Sequence, residues 1–201
     1  MGEIEVGVVP VAMIEPKTFE DLKLLQKTLD ENTGKKRDNG FIPRERDGID
    51  ILLSLDDEFQ EWLRELPEEV NFKTWKQKKY NREKELEEFT DILFFFLQLV
   101  NNINRYNCKD INPKCFNKIF DDFSDFNRVR FYSYKNYQRK EDLIYLIETF
   151  KRKLWKGDFI ECFEFYISIA MNRDFLQQEI IDMYYEKWQK NMERIKGDWT
   201  K

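Results

Sequence analysis

Two short acidic patterns could do chemistry in this chain: Glu58-Phe59-Gln60-Glu61 and Glu88-Phe89-Thr90-Asp91. In each, the acids stand three residues apart, so a helix presents both on one face. The second pair has the more telling surroundings. Glu88, Asp91, Ile92, Phe95 and Leu99 share one helical stripe, and Ile92 to Leu97 is apolar on every side, which predicts a buried helix. Ionised carboxylates there are costly unless paired or bound to a metal. An antiparallel hairpin of two long helices would bring the two pairs face to face. Four oxygen-only side chains gathered in this way suit a hard cation such as Mg²⁺. Alone, Glu58, Glu61 and Glu65 would read as a solvated face in a chain that is 36% charged.

Complementary charge follows near the C-terminus. Lys187, Asn191 and Arg194 are spaced to share one helix face, and an ammonium, an amide and a guanidinium together suit phosphate oxygens. The stretch around Lys73, Lys76, Lys78 and Lys79 could do similar work, with Phe72 and Trp75 either plugging the core or stacking on a ring. Acids for a metal opposite bases for phosphates describe a nucleotide site. Neither GxxxxGK[ST] nor GxGxxG occurs, so such a site is not of the P-loop or Rossmann kind.

Composition narrows the chemistry further. The chain has no His, which removes Ser-His-Asp and Cys-His nucleophiles and His-ligated zinc. Its 3 Cys, without CxxC spacing, read as reduced thiols. A net charge of −5 gives no global field toward nucleic acid or an anionic membrane. No apolar run approaches the ~18 residues of a membrane span, and the N-terminus lacks the basic start of a signal peptide, so a cytoplasmic protein is expected. With 41% hydrophobic residues, 18 Phe and only 7 Gly and 5 Pro, the chain should be all-α with a substantial core.

Helices must position these residues. Residues 1–16 read as a strand or a draped arm. Thr18 to Asp21 resembles a capping box, with Phe19, Leu22, Leu25 and Leu29 following at helical spacing. Residues 32–48 read as a loop. A helix is expected over 49–66, a basic aromatic connector over 68–82, and the buried helix over 82–104. The stretch 105–140 alternates Phe and Tyr with charged residues; nucleic-acid stacking is disfavoured there because Asp110, Asp121, Asp122 and Asp125 lie among the bases. Further helices are expected over 141–155 and 158–171, and a last one from Asp174 to about Gly197. The whole, residues 1–201, reads as one helical domain, with 105–170 an inserted, aromatic-rich helical segment whose Phe and Tyr exceed what its own core needs.

At these residues the chain resembles the dimeric all-α dUTPases of the all-α nucleotide pyrophosphatase superfamily, whose mark is ExxE, a spacer, then ExxD on antiparallel helices. Glu61-Trp62-Leu63-Arg64-Glu65 followed by Phe72-Lys73-Thr74-Trp75-Lys76 is similar to that branch's acidic helix and FKxW segment. Glu87 to Phe95 is similar to its EExxDxLHF segment, and Lys187 to Gly197 to its KNxxNxxRQxxG motif. Lys23 to Asp30 matches its Q-x-x-L-[DN] segment more loosely. The match covers about 18–104 and 174–199, and its feel is closest to bacteriophage-type members. Phe94, Trp188 and Ile195 depart from the family's His, Asn and Gln.

The resemblance implies an all-α helical bundle hydrolysing dUTP to dUMP and pyrophosphate with Mg²⁺. Glu58, Glu61, Glu88 and Asp91 would hold metal, with Glu58 favoured to orient or deprotonate water. Lys73, Lys76, Lys187, Asn191 and Arg194 would bind phosphates, Trp75 and Phe95 would shape the uracil pocket, and Gln26 would reach the base. A homodimer is implied, and for a phage-type member a protein partner such as a repressor. Two other readings stay open: a pyrophosphatase for dCTP or a non-standard nucleotide, and a protein-binding module.

Overall fold

The computed structural model describes residues 15–36, 46–71, 73, 75, 78–102, 112, 114–124 and 140–196. Among these, all regular structure is helical: α1 (Phe19–Lys36), α2 (Gly48–Glu65), α3 (Arg82–Asn101), α4 (Lys114–Ser124), α5 (Lys140–Lys156), α6 (Phe159–Asn172) and α7 (Gln177–Lys196). The all-α expectation holds. The arm expected over residues 1–16 lies almost wholly outside the described residues.

Side chains set where the helices begin. At α1, Thr18 Oγ1 accepts from the Asp21 N–H at 3.2 Å and Asp21 Oδ2 accepts from the Thr18 N–H at 2.9 Å, a reciprocal capping box. Asp47 and Asp50 make the same exchange at α2, and Asn81 accepts from two N–H groups at the start of α3. Each such cap contributes about 1 kcal/mol.

Two boundaries differ from expectation. α1 runs on to Lys36, into the expected loop, because Asn32 is buried and its side chain donates to the Thr28 carbonyl at 2.8 Å. At the other end, α7 begins at Gln177 rather than Asp174. Asp174 has φ +52°, its N–H reaches Met171 O, and the Phe175 N–H reaches Ala170 O. That is a Schellman stop to α6, with Phe175 tucked into the core behind it. Gly157 (φ +79°) closes α5 in the same way.

α3 runs through the middle, with Phe89, Ile92, Leu93, Phe96 and Leu97 fully buried. α2 and α1 pack against it, α7 closes one side, and α5 and α6 pair with each other. One continuous aromatic cluster joins these layers. Phe59 stacks on Phe150 (4.6 Å), Trp62 meets Phe89 edge-on (5.4 Å), Phe89 stacks on Tyr166 (4.3 Å), and Phe163 joins Tyr166 to Phe19, Phe96 and Phe116. Burying one such ring contributes about 1.5–3 kcal/mol.

The middle aromatics therefore need a correction. Phe116, Phe120, Phe123, Phe150, Phe163 and Tyr166 are not surplus to the fold but buried in the core that they share with α1, α2 and α3. Tyr132, Tyr134 and Tyr137 lie outside the described residues.

Candidate functional site

Glu58 projects from α2, and Glu88 and Asp91 from α3. The two helices run antiparallel: Trp62, late in α2, meets Phe89, whereas Arg46, just ahead of α2, lies over the Phe95 ring at 5.4 Å. The apolar faces fix this phase, since Leu55, Phe59 and Trp62 bury on α2 while Phe89, Ile92 and Phe96 bury on α3. The acids between those positions are left on the rim of the shared interface. One carboxylate oxygen each from Glu58, Glu88 and Asp91 falls within a set no more than 4.8 Å across.

The electrostatics of this trio are unfavourable by themselves. Burial, then Asp91, Glu61 and Glu88, push the Glu58 carboxyl up to about 7, against a smaller lowering by Lys187. Burial likewise pushes Asp91 up to about 6, although Lys187 pairs with it. Acids held together at this cost need added positive charge, and an all-oxygen donor set fits a hard divalent cation. The residues present thus fit the metal that the sequence pattern implied. Glu61 is not in the trio. It is exposed, and it acts on Glu58 as a nearby like charge.

Lysines already answer part of the charge. Lys84 pairs with Glu88 at 2.9 Å, and Lys187 of α7 pairs with Asp91 and stands 3.4 Å from Glu87. Lys187 is aimed by its neighbours. Tyr184 is fully buried, stacks on Phe94 at 4.1 Å and donates to Gln26 Oε1 at 2.8 Å, and Trp188 donates to the Leu25 carbonyl at 2.8 Å.

A model of the dUTPase family matches residues 18–199. The chain belongs to the dUTPase family. No curated protein matches it. The match covers nearly the whole chain, and the activity it supports is that of a dUTP diphosphatase. As the family generally uses a divalent metal, the trio is its candidate centre.

The other expected site residues lie on α7, on α3, on α1 and between α2 and α3. Asn191 and Arg194 continue the Lys187 face of α7, with Arg194 exposed and its Nη1 3.4 Å from Asn191 Oδ1. Phe95 lies half-buried one turn beyond Asp91. Gln26 is buried, its amide donating to Asp30 Oδ1 at 2.8 Å. Lys73 lines a cleft beside Glu65, Lys78 and Tyr80 rather than the trio. Trp75 is 72% exposed, which removes its core-plug alternative. Lys76 and Phe72 lie outside the described residues. The three departures from the family motifs, Phe94, Trp188 and Ile195, are all buried, so packing explains their apolar character.

Sequence reasoning missed Lys84, although a lysine four residues before a glutamate on a helix is a readable pair. It also missed Gln98, which lies seven residues beyond Asp91 on the same stripe and donates to Asp30 Oδ1 at 2.8 Å. Glu85 was missed too. It is fully buried on α3 and accepts from Arg173 Nε (2.7 Å), Arg173 Nη2 (3.1 Å) and the Tyr80 hydroxyl (2.8 Å).

Proposed function

We propose that the chain hydrolyses dUTP to dUMP and pyrophosphate with Mg²⁺ held by Glu58, Glu88 and Asp91, and with Glu61 completing the set. The convergence of the three carboxylates from two helices supports this reading most directly. A Mg²⁺ ion bound there would neutralise phosphate charge and acidify a water. Glu58 is the base: a carboxylate beside a metal-acidified water can take its proton, which suits a protein without His. Arg194 offers a bidentate fork to phosphate oxygens, and Asn191 offers an amide beside it. Lys73 and Lys76 add charge from the connector. Phe95 and Trp75 supply ring faces for uracil, and Gln26 retains one N–H for a base acceptor beyond its bond to Asp30. In this reading residues 1–201 work as one domain, 105–170 included. The exposed Ile49 and Leu53 of α2 and Ile144, Tyr145 and Trp155 of α5 support assembly as a homodimer.

The test is pyrophosphate release from a panel of dUTP, dCTP, dTTP, UTP and non-standard triphosphates, with and without Mg²⁺. Turnover of dUTP well above the others, abolished by chelation, is expected. Preference for another nucleotide would reassign the substrate, and turnover unaffected by chelation would remove the metal.

A further inference from the structure

Lys187 does not stand open as an unengaged phosphate ligand would. Its side chain is only 15% exposed, its ammonium pairs with Asp91, and Glu87 Oε1 lies 3.4 Å away. Asp91 is also one of the three carboxylates that converge on the candidate metal position. An ammonium and a divalent cation cannot both take the same oxygens at close range, so the lysine and the metal compete.

The two site lysines differ in what they can do when displaced. Lys84 is 44% exposed and pairs within its own helix, so water can replace Glu88 around it. Lys187 comes from another helix and is more enclosed, and a withdrawn ammonium needs acceptors for its three N–H groups. Glu87 is already beside it, is 41% exposed, and lies one helical turn before Asp91. The lysine thus has a second place within reach of a side-chain rotation. Asn191 and Arg194 lie one and two turns further along its own face of α7.

We propose that Lys187 is a resident counter-cation of the acidic site, exchanged for the divalent metal: it holds Asp91 in the metal-free protein, yields it on metal binding, and turns to Glu87 and the phosphate chain of the nucleotide. This rests on the metal reading above. It adds a coupling, because without metal the ammonium is committed to Asp91 and unavailable to phosphate. Metal and nucleotide then favour each other's binding, as linkage requires.

The test is calorimetric titration of Mg²⁺ alone into the full chain at pH 8, without nucleotide. Lys187→Met should bind Mg²⁺ about tenfold more tightly than the parent, equivalent to ~1.4 kcal/mol. Lys187→Arg should bind it more weakly, since a guanidinium fork holds Asp91 more firmly. Lys190→Met removes the same charge from an exposed position on α7, paired to Glu186, and should change little. Unchanged or weaker binding by Lys187→Met overturns the exchange, as does equal tightening by Lys190→Met. If Lys187→Met does not fold, parental or tighter binding by Lys187→Arg overturns it. A parent chain that binds no Mg²⁺ overturns the metal reading itself, and the exchange with it.

Discussion

Glu85 and Asp91 lie on the same helix, less than two turns apart, and they have opposite fates. Glu85 is the more deeply buried, yet Arg173 and Tyr80 give it three donors from within the fold. Asp91 is less buried, but it faces Glu58 across the α2–α3 interface, with Glu88 beside it on α3 and Lys187 as its cation. Burial alone therefore does not mark a site. An acid with dedicated partners ties elements together, here α3 to the α6–α7 turn. Acids that face one another leave a demand for charge that an added cation meets.

The sharpest break in that comparison is functional. Asp91→Ala or Glu88→Ala should lower dUTP turnover by about a thousandfold or more, some 4 kcal/mol of transition-state stabilisation. Melting temperature should hold or rise, because repulsion within the trio is relieved. Near-normal turnover in either variant would take the carboxylates out of the chemistry.

Arg173→Met should give the reverse pattern. It strands the Glu85 carboxylate in the core, and breaking a buried pair in this way costs about 3–5 kcal/mol. Urea denaturation measures that loss, while turnover per folded molecule should stay near the parent's. A stability change within error would make the Glu85 pair as dispensable as a surface one.

The smallest effect is in the pH dependence of the metal-free protein. Glu58 and Asp91 have folded values raised to about 7 and about 6 from ordinary values of 4.5 and 3.8. Their contribution is fully present below the unfolded values and is lost as pH rises through the folded ones, where the carboxylates ionise against each other. Melting temperature should therefore fall by a few degrees between about pH 5 and pH 8. Glu58→Gln should flatten that fall, and Arg173→Met should retain it. An identical slope in Glu58→Gln and the parent would mean that Glu58 does not carry the strain.

Much of this was readable in the sequence because it is local. The caps at Thr18 and the stripes of α2 and α3 follow from spacing alone, and the same spacing put Glu88 beside Asp91. The misses are tertiary. Asp174 looked like a helix start, but it is the left-handed residue that stops α6, a role usually taken by Gly. The Phe-rich middle looked like surplus surface because no sequence rule shows Phe116 and Phe163 meeting Phe19 and Phe96. Lys187 was legible as a cation near phosphate, but not as the partner of Asp91, since 96 residues separate them. Glu61 matched the spacing rule as well as Glu58 did, and only the packing of α2 separates them.

The interleaving of core and site on α3 also bears on how such a chain can vary in length. Phe89 and Ile92 each follow a site acid by one residue, and Phe89 is held by Trp62 and Tyr166, whose hydroxyl bonds its carbonyl at 3.2 Å. Each helical residue turns the axis by about 100°, so a single insertion between Arg82 and Glu88 would drive the acids into the aromatic cluster or force the first turns of α3 to unwind. The described residues between α2 and α3 are not helical and carry no such phase. Insertions and deletions in this lineage should therefore be absent from the seven residues that follow Asn81.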